Sequence, residues 1–232
     1  MPRPVPNVLD MLRFPSFVVL AATLAVAPSA WGQDPAGAAI DKAVEAYAKV
    51  RTARAAFEQV VTNPLTGSRL QSRGEFEQAR PDRFIFRFAD PKGDVIVSDG
   101  KFVWVYLPSS QPGQVIRAPL SAEVEGSMDL IGAFFTNPRT RYTVKDAGAA
   151  TVGGRATRVV TLVPKGQGGS FVRAKVWIDT ADGTLRQFEA EEMSGIVRRV
   201  TITTFTPNAQ VPSAAFRFKP PRGVRVVNQS DL

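Results

Sequence analysis

From Gly74 to Leu107 the apolar positions recur with a period of two: Phe84, Phe86 and Phe88 alternate with Arg83, Ile85 and Arg87, and Phe102, Trp104 and Tyr106 with Val103, Val105 and Leu107. Side chains two apart on a strand share a face, so the stretch reads as consecutive strands with three phenylalanines on one side. Pro91-Lys92-Gly93 and Asp99-Gly100 interrupt it with turn chemistry, the Asp-Gly pair suiting the positive φ of a tight hairpin. The expected product is an antiparallel meander with an aromatic side. Its entrance is Arg80-Pro81, where the proline removes a ladder donor and biases Arg80 toward an extended backbone.

Elsewhere the same alternation is broken twice by helical spacing. Ile40, Val44 and Tyr47 predict an amphipathic helix over Ala38 to Thr52, with Asp41 toward its start and Lys49 and Arg51 toward its end. Val124, Met128, Ile131 and Phe135, with Leu130 and Phe134 beside them, predict a second helix, or two short ones split near Gly126, over Ser121 to Asn137. Strands are expected at Arg54 to Thr62 and Arg69 to Gln78 around an Asn63-to-Gly67 turn, and at Gln114 to Ile116, ended by Pro119. They resume at Arg141 to Lys145, Ala156 to Val163, Phe171 to Asp179, Thr184 to Glu192 and Ile196 to Phe205. A helical turn at Pro212 to Phe216 and an interrupted run to Val227 close the chain. About eleven strands and two main helices point to a mainly β fold, an incomplete antiparallel barrel or strongly curved sheet with helices over its mouth.

Residues 1–32 change the picture of where the domain begins. Arg3 and Arg13 precede an uncharged run from Phe14 to Ala27, and Ala30-Trp31-Gly32 offers small residues for cleavage, so 1–32 reads as a signal peptide and 33–232 as a single domain. The apolar run is short for a membrane span. Without a cysteine after it the leader cannot yield a lipid-anchored product, so an exported, soluble protein is expected.

Composition removes several chemistries. The 232-residue chain has no histidine and no cysteine, so an imidazole base, a thiolate nucleophile, a Cys/His zinc site and a disulfide framework are all excluded. Its net charge of +8 is spread along alternating strands without a basic run, which argues against nucleic acid as a partner. Glu189, Glu191 and Glu192 form the densest carboxylate group, read as a solvated strand face. Gly166-Gln167-Gly168-Gly169 lies between strands with no helix behind it, so it is no phosphate cradle. No catalytic residue, metal site or cofactor is assigned, and the chain is not expected to be an enzyme. What remains is bulky apolar surface on one sheet and one helix, which must be core or hold an apolar ligand.

At these residues the chain resembles a known family. Ala55-Ala56-Phe57-Glu58-Gln59, Gly74-Glu75-Phe76, Arg80-Pro81-Asp82-Arg83-Phe84, Ser98-Asp99-Gly100-Lys101, Trp104-Val105-Tyr106, Gln114-Val115 and Phe216 through Val224 follow, in order and spacing, the LolA family of periplasmic lipoprotein carriers of the Lol system. The resemblance implies a periplasmic chaperone that takes acylated lipoproteins released by an inner-membrane ABC transporter, shields their acyl chains and delivers them to an outer-membrane receptor. It implies a monomer. The rival reading on the same fold is an envelope sensor that binds lipoproteins or lipid. Carried over by position, Arg80 becomes a lid switch that hydrogen-bonds lid carbonyls in the empty state, Phe84 and Phe86 match positions that line the cavity or affect exchange with the transporter, and Leu130 and Ile131 match the apolar lid. As bulky apolar side chains of the same sheet and helix, Phe88 and Trp104 are added to the expected acyl-chain cavity and Met128 and Phe134 to the expected lid. Asp129 in the lid helix and Phe86, where tryptophan is often found, depart from the family pattern.

Overall fold

A computed structural model describes residues 34–120, 132–166 and 171–231. The proposed leader therefore lies outside the described residues, as do most of the expected lid helix and the Gly168-Gly169 loop. Helix α1 runs from Pro35 to Ala48. It begins three residues before the expected start because Asp34 caps it, accepting a 2.8 Å hydrogen bond from the Gly37 amide, while Pro35 fills the first position, where a missing N–H costs nothing. Asp41 thus sits in the second turn, not at the start. Ala36, Ile40, Ala43 and Tyr47 form the buried stripe.

Among the described residues the strands form a single twelve-stranded sheet: β1 (Thr52–Thr62), β2 (Arg69–Ala79), β3 (Arg83–Asp90), β4 (Val95–Asp99), β5 (Phe102–Tyr106), β6 (Gln114–Pro119), β7 (Tyr142–Val152), β8 (Arg155–Pro164), β9 (Arg173–Asp179), β10 (Leu185–Glu191), β11 (Val197–Pro207) and β12 (Arg225–Asn228). Spatial order is β12-β6-β5-β4-β3-β2-β1-β11-β10-β9-β8-β7. The two end strands do not pair with each other, so the sheet stays open. Every neighbouring pair is antiparallel except β12 with β6, which is parallel because the chain returns to that edge by crossing the back of the sheet. Strand β7 outruns its expected end at Lys145: Asp-Ala-Gly reads as a terminator, but Gly148, at φ +93°, sits in a bulge between Asp146 and Ala149 after which pairing with β8 resumes. Between β6 and β7 the described chain forms two short helices, α2 (Gly132–Phe135) and α3 (Pro138–Arg141), separated by Asn137 in the left-handed region.

One buried cluster spans the inner face from Val103 on β5 round to Leu162 on β8, with α1 and α2 packed into it. A smaller cluster, Ala79, Ile85, Val97 and Phe216, lies on the outer face beneath the chain that leads to β12. A 3-10 turn at Ser213–Phe216, at the expected position, sets Phe216 into that cluster.

Candidate functional site

Cross-strand partners share a face, so the register sorts the aromatic meander. Phe86 stands between Phe76 and Ile96, and Ile96 pairs with Val105, while Phe84 stands between Gln78 and Ser98. These rows line the inner face. Phe84 and Phe86 are 3% and 8% exposed, and Phe88 packs half-buried against the same cluster. The rings meet mainly edge to face or tilted: Phe76–Phe86 centroids are 4.7 Å apart, Phe57–Phe88 5.6 Å, Phe84–Phe86 5.9 Å and Phe57–Phe86 6.0 Å.

Trp104 does not join them. Ile85 pairs with Val97 and Val97 with Trp104, so the row that contains Trp104 faces outward. There it packs on the outer cluster, 5.7 Å from the Phe218 ring, and its indole N–H donates to Asp99 at 3.0 Å. The placement of Trp104 in an acyl-chain cavity is therefore corrected. Pairing of alternating strands depends on which residues oppose each other, and the Asp99-Gly100 turn puts Val103 and Val105, not Trp104, on the phenylalanine side.

The helix over the inner face is α1, which rests against β7, β8, β9 and α2. Carbonyls at its C-terminus and in the turn after it are taken by side chains that follow the ends of two distant strands. Arg80 Nη1 donates to the Tyr47 carbonyl at 3.4 Å and to the Val50 carbonyl at 3.3 Å, and its guanidinium lies 4.4 Å from the Tyr47 ring centroid. Asn208, at φ 54°, donates to the Lys49 carbonyl and accepts from the Arg51 amide. Arg80 is thus found on backbone carbonyls of α1 and the turn after it, not on the described part of the expected lid. At its other end α1 is tied to α3 by a two-pronged Arg139–Asp41 pair, and that arginine holds Asp41 below the usual carboxylate range. The β9–β10 turn supports the middle: Lys42 donates to the Thr180 carbonyl, and a side chain at Gly183 (φ +75°) would meet the Lys42 carbonyl at 2.8 Å.

Beside the Arg80 clasp a groove of about 500 Å³ runs between α1 and the β9–β10 turn, lined by Ala46, Tyr47, Val50, Phe135, Leu185 and Phe205 among others. That volume is in the usual range for small-ligand sites. Phe134 is 4% exposed and packs 5.0 Å from Phe188 and 5.8 Å from Phe171, closing the inner face over β10. Met128, Leu130, Ile131 and Asp129 lie outside the described residues.

Charge is kept to the outer face and the rims. Glu77 bridges Arg54 and Arg87; burial pushes its carboxyl up, but hydrogen bonds from the two arginines outweigh this and hold it low. Asp179, 1% exposed, receives Arg155 and Arg186; burial again raises it, and hydrogen bonds from Arg155, the Ala181 amide and Arg186 bring it down to about 2. Glu189, Glu191 and Glu192 pair with Arg199, Arg173 and Arg198. Sequence reasoning missed Asn208 and Gln78. Asn208 carried a signal, an asparagine after proline at a strand end, whereas Gln78 read only as one more polar residue on a strand.

An open sheet curled round an aromatic face, with a helix clasped across it, defines a class of folds suited to apolar ligands. Residues 48–219 match the model of a specific family, the outer membrane lipoprotein carrier protein LolA, and the chain belongs to that family. It is 31% identical over 191 residues to the outer-membrane lipoprotein carrier protein of Methylibium petroleiphilum, covering 82% of this chain and 90% of that protein. To the protein of the same name from Ralstonia nicotianae it is 31% identical over 216 residues, 91% of this chain and 96% of the relative. Among solved structures, an uncharacterized conserved protein from Thermus thermophilus shares the fold with a TM-score of 0.53 at 14% identity, covering 84% of this chain and 99% of that one.

Proposed function

We propose that this protein is a periplasmic carrier that holds the acyl chains of lipoproteins against its inner face between two membranes. Family membership supports the role, and the arrangement of Arg80, α1 and the phenylalanine rows supports the way it works. Each CH₂ withdrawn from water is worth about 0.8 kcal/mol, so long acyl chains need cover for the whole journey. Phe84, Phe86 and Phe88 are the acyl-contacting residues in this reading, and Phe134 with Met128, Leu130 and Ile131 the apolar lid. Residues 1–32 are the export signal, removed near Gln33. An inner-membrane ABC transporter loads the carrier and an outer-membrane receptor unloads it.

Arg80 gives the device two states. Its hydrogen bonds to α1 favour the empty, closed form, and release of Tyr47 and Val50 lets α1 rise as chains enter along the groove beside it. The single observation that carries the reading is this clasp, a rim arginine holding the backbone at the C-terminus of α1, the helix over the inner face. Purification of the exported protein followed by mass spectrometry of what it holds tests it. Acylated polypeptide is the expected finding; recovery of the protein with free phospholipid alone from cells rich in lipoprotein would overturn it.

A further inference from the structure

Gln78 lies on β2 two residues before the clasp. It pairs with Ala53 on one side and Phe84 on the other, is 2% exposed, and points with Phe76 and Phe84 to the inner face. Among the described residues its Oε1 is a buried side-chain oxygen with no hydrogen-bond partner. The side chains beside it in the row do not supply one. Ala53, Phe76 and Phe84 are apolar, and the hydroxyl of Ser98, next in the row, is committed to the Asp82 carbonyl at 2.6 Å. A buried acceptor left unmade costs stability, and replacing it by an apolar group of the same shape removes that cost. Leucine or methionine would fit the face better, unless the oxygen is kept for a ligand.

We propose that Gln78 is the polar recognition residue of the inner face: its Oε1 accepts the N–H of a secondary amide at the head of a bound acyl chain. The inference rests on the carrier reading and adds to it which linkage the site favours. Gln78 sits at the strand end nearest the α1 C-terminus, and Phe84, Phe86 and Phe88 lead away from it along the inner face. A chain lying along those rings with its head toward the rim brings its first polar group to Gln78. An amide-linked chain offers a donor there and satisfies both partners; an ester-linked chain offers none and leaves the oxygen orphaned. Lipoproteins present amide groups, in their peptide and in any N-acyl chain, where a phospholipid presents only esters to the same depth.

The test uses two probes that differ in one atom pair, N-palmitoylglycine and O-palmitoylglycolate, bound to the empty full-length mature protein by calorimetry. The expected result is an amide preference of about five- to tenfold, the size of one hydrogen bond to a buried acceptor. In Gln78→Met, and in Gln78→Leu as a second shape, the preference disappears while affinity for the ester stays within about twofold. The melting temperature of the empty variants rises by a few degrees, because an unsatisfied group is gone. Equal affinity of the unaltered protein for both probes, or an undiminished preference in the variants, overturns the inference alone. Failure of the unaltered protein to bind either probe overturns the carrier reading and this inference together.

Discussion

The two faces of the sheet are both apolar at their centres, yet they are fastened in different ways. On the outer face Phe216 is 1% exposed, Arg87 reaches over to the Ala215 carbonyl, and Glu77 anchors Arg87 and Arg54 at 2.8–2.9 Å. The bond from sheet to covering chain, Arg87 to the Ala215 carbonyl at 3.2 Å, comes from a guanidinium that the short Glu77 pair already holds in place. The inner face has a larger aromatic surface, but its helix is held by Arg80 bonds of 3.3 and 3.4 Å and by Asn208 at its C-terminus, by Lys42 in its middle and by an exposed pair toward its start. It also contains an oxygen with nothing to bond. The outer face is built to stay as it is; the inner face has a cover that can be let go.

The largest effect expected is on the fixed side. Phe216→Ala should lower stability by about 3–5 kcal/mol in urea denaturation, as for other buried phenylalanines. Binding of N-palmitoylglycine by the folded fraction should be unchanged. Phe86→Ala also destabilises, but it weakens the binding itself. Equal binding loss in both variants would abolish the division between the faces.

Acid probes the carboxylates that arginines hold. Asp179 has a folded pKa of about 2 against an ordinary 3.8, so its contribution is complete above pH 3.8 and is lost as pH falls through 2. The gap corresponds to about 2 kcal/mol. Glu77 acts in the same direction. Stability measured between pH 5 and 2 should therefore fall, and Asp179→Asn should flatten the lower part of that curve. An unchanged slope in the variant would mean that the Asp179 ion pairs do not carry the acid sensitivity.

Next comes the clasp. Arg80→Leu removes two long hydrogen bonds and a ring contact, together about 1 kcal/mol of stability. The readout is local: amide exchange should quicken over the last turn of α1 and the residues after it, from Val44 to Arg51, and leave strands β3 and β4 as they were. Bound acylated peptide should be retained longer, because closure is no longer favoured. Arg80→Lys should fall between, keeping the charge without the planar fork. Unaltered exchange in α1 would return Arg80 to an ordinary rim residue.

Much of this contrast was readable in the chain, and the exceptions have physical causes. Alternation identified the phenylalanine face because Phe84, Phe86 and Phe88 lie on one strand, where spacing alone decides which side a residue takes. Trp104 went to the wrong face because its side depends on register across two turns, which no single strand encodes. Arg80 was recognisable as a candidate beside Pro81, but its partners come from residues some thirty positions earlier, so the helix it holds could only be read from the fold. Asp34 and Pro35 carried a start signal that the apolar spacing of Ile40, Val44 and Tyr47 overshadowed. Gln78 was invisible, since an unpaired oxygen is defined by the neighbours that fail to meet it.

The smallest effect concerns the far end of α1. Arg139 reaches Asp41 with two nitrogens, at 3.0 and 2.7 Å, and lies 3.8 Å from Asp34, the residue that caps the helix. Both side chains of the Arg139–Asp41 pair are more than half exposed, so solvent screens the attraction and a coupling of only about 0.2–1 kcal/mol is expected. A double-mutant cycle with Arg139→Gln and Asp41→Asn measures it, and the value should shrink further in roughly 0.5 M salt. Asp34 is a reason to use Asn at position 41 and leave the cap alone, because losing the cap would unwind the first turn and hide the pair's own contribution. If α1 is released from the Arg80 end, as the contrast between the faces requires, then breaking the Arg139 pair should leave amide exchange near Tyr47 almost unchanged and quicken it only near Ile40. Equal acceleration at both ends would mean that α1 lifts as one rigid piece, and the clasp would then be only one of several equivalent fastenings.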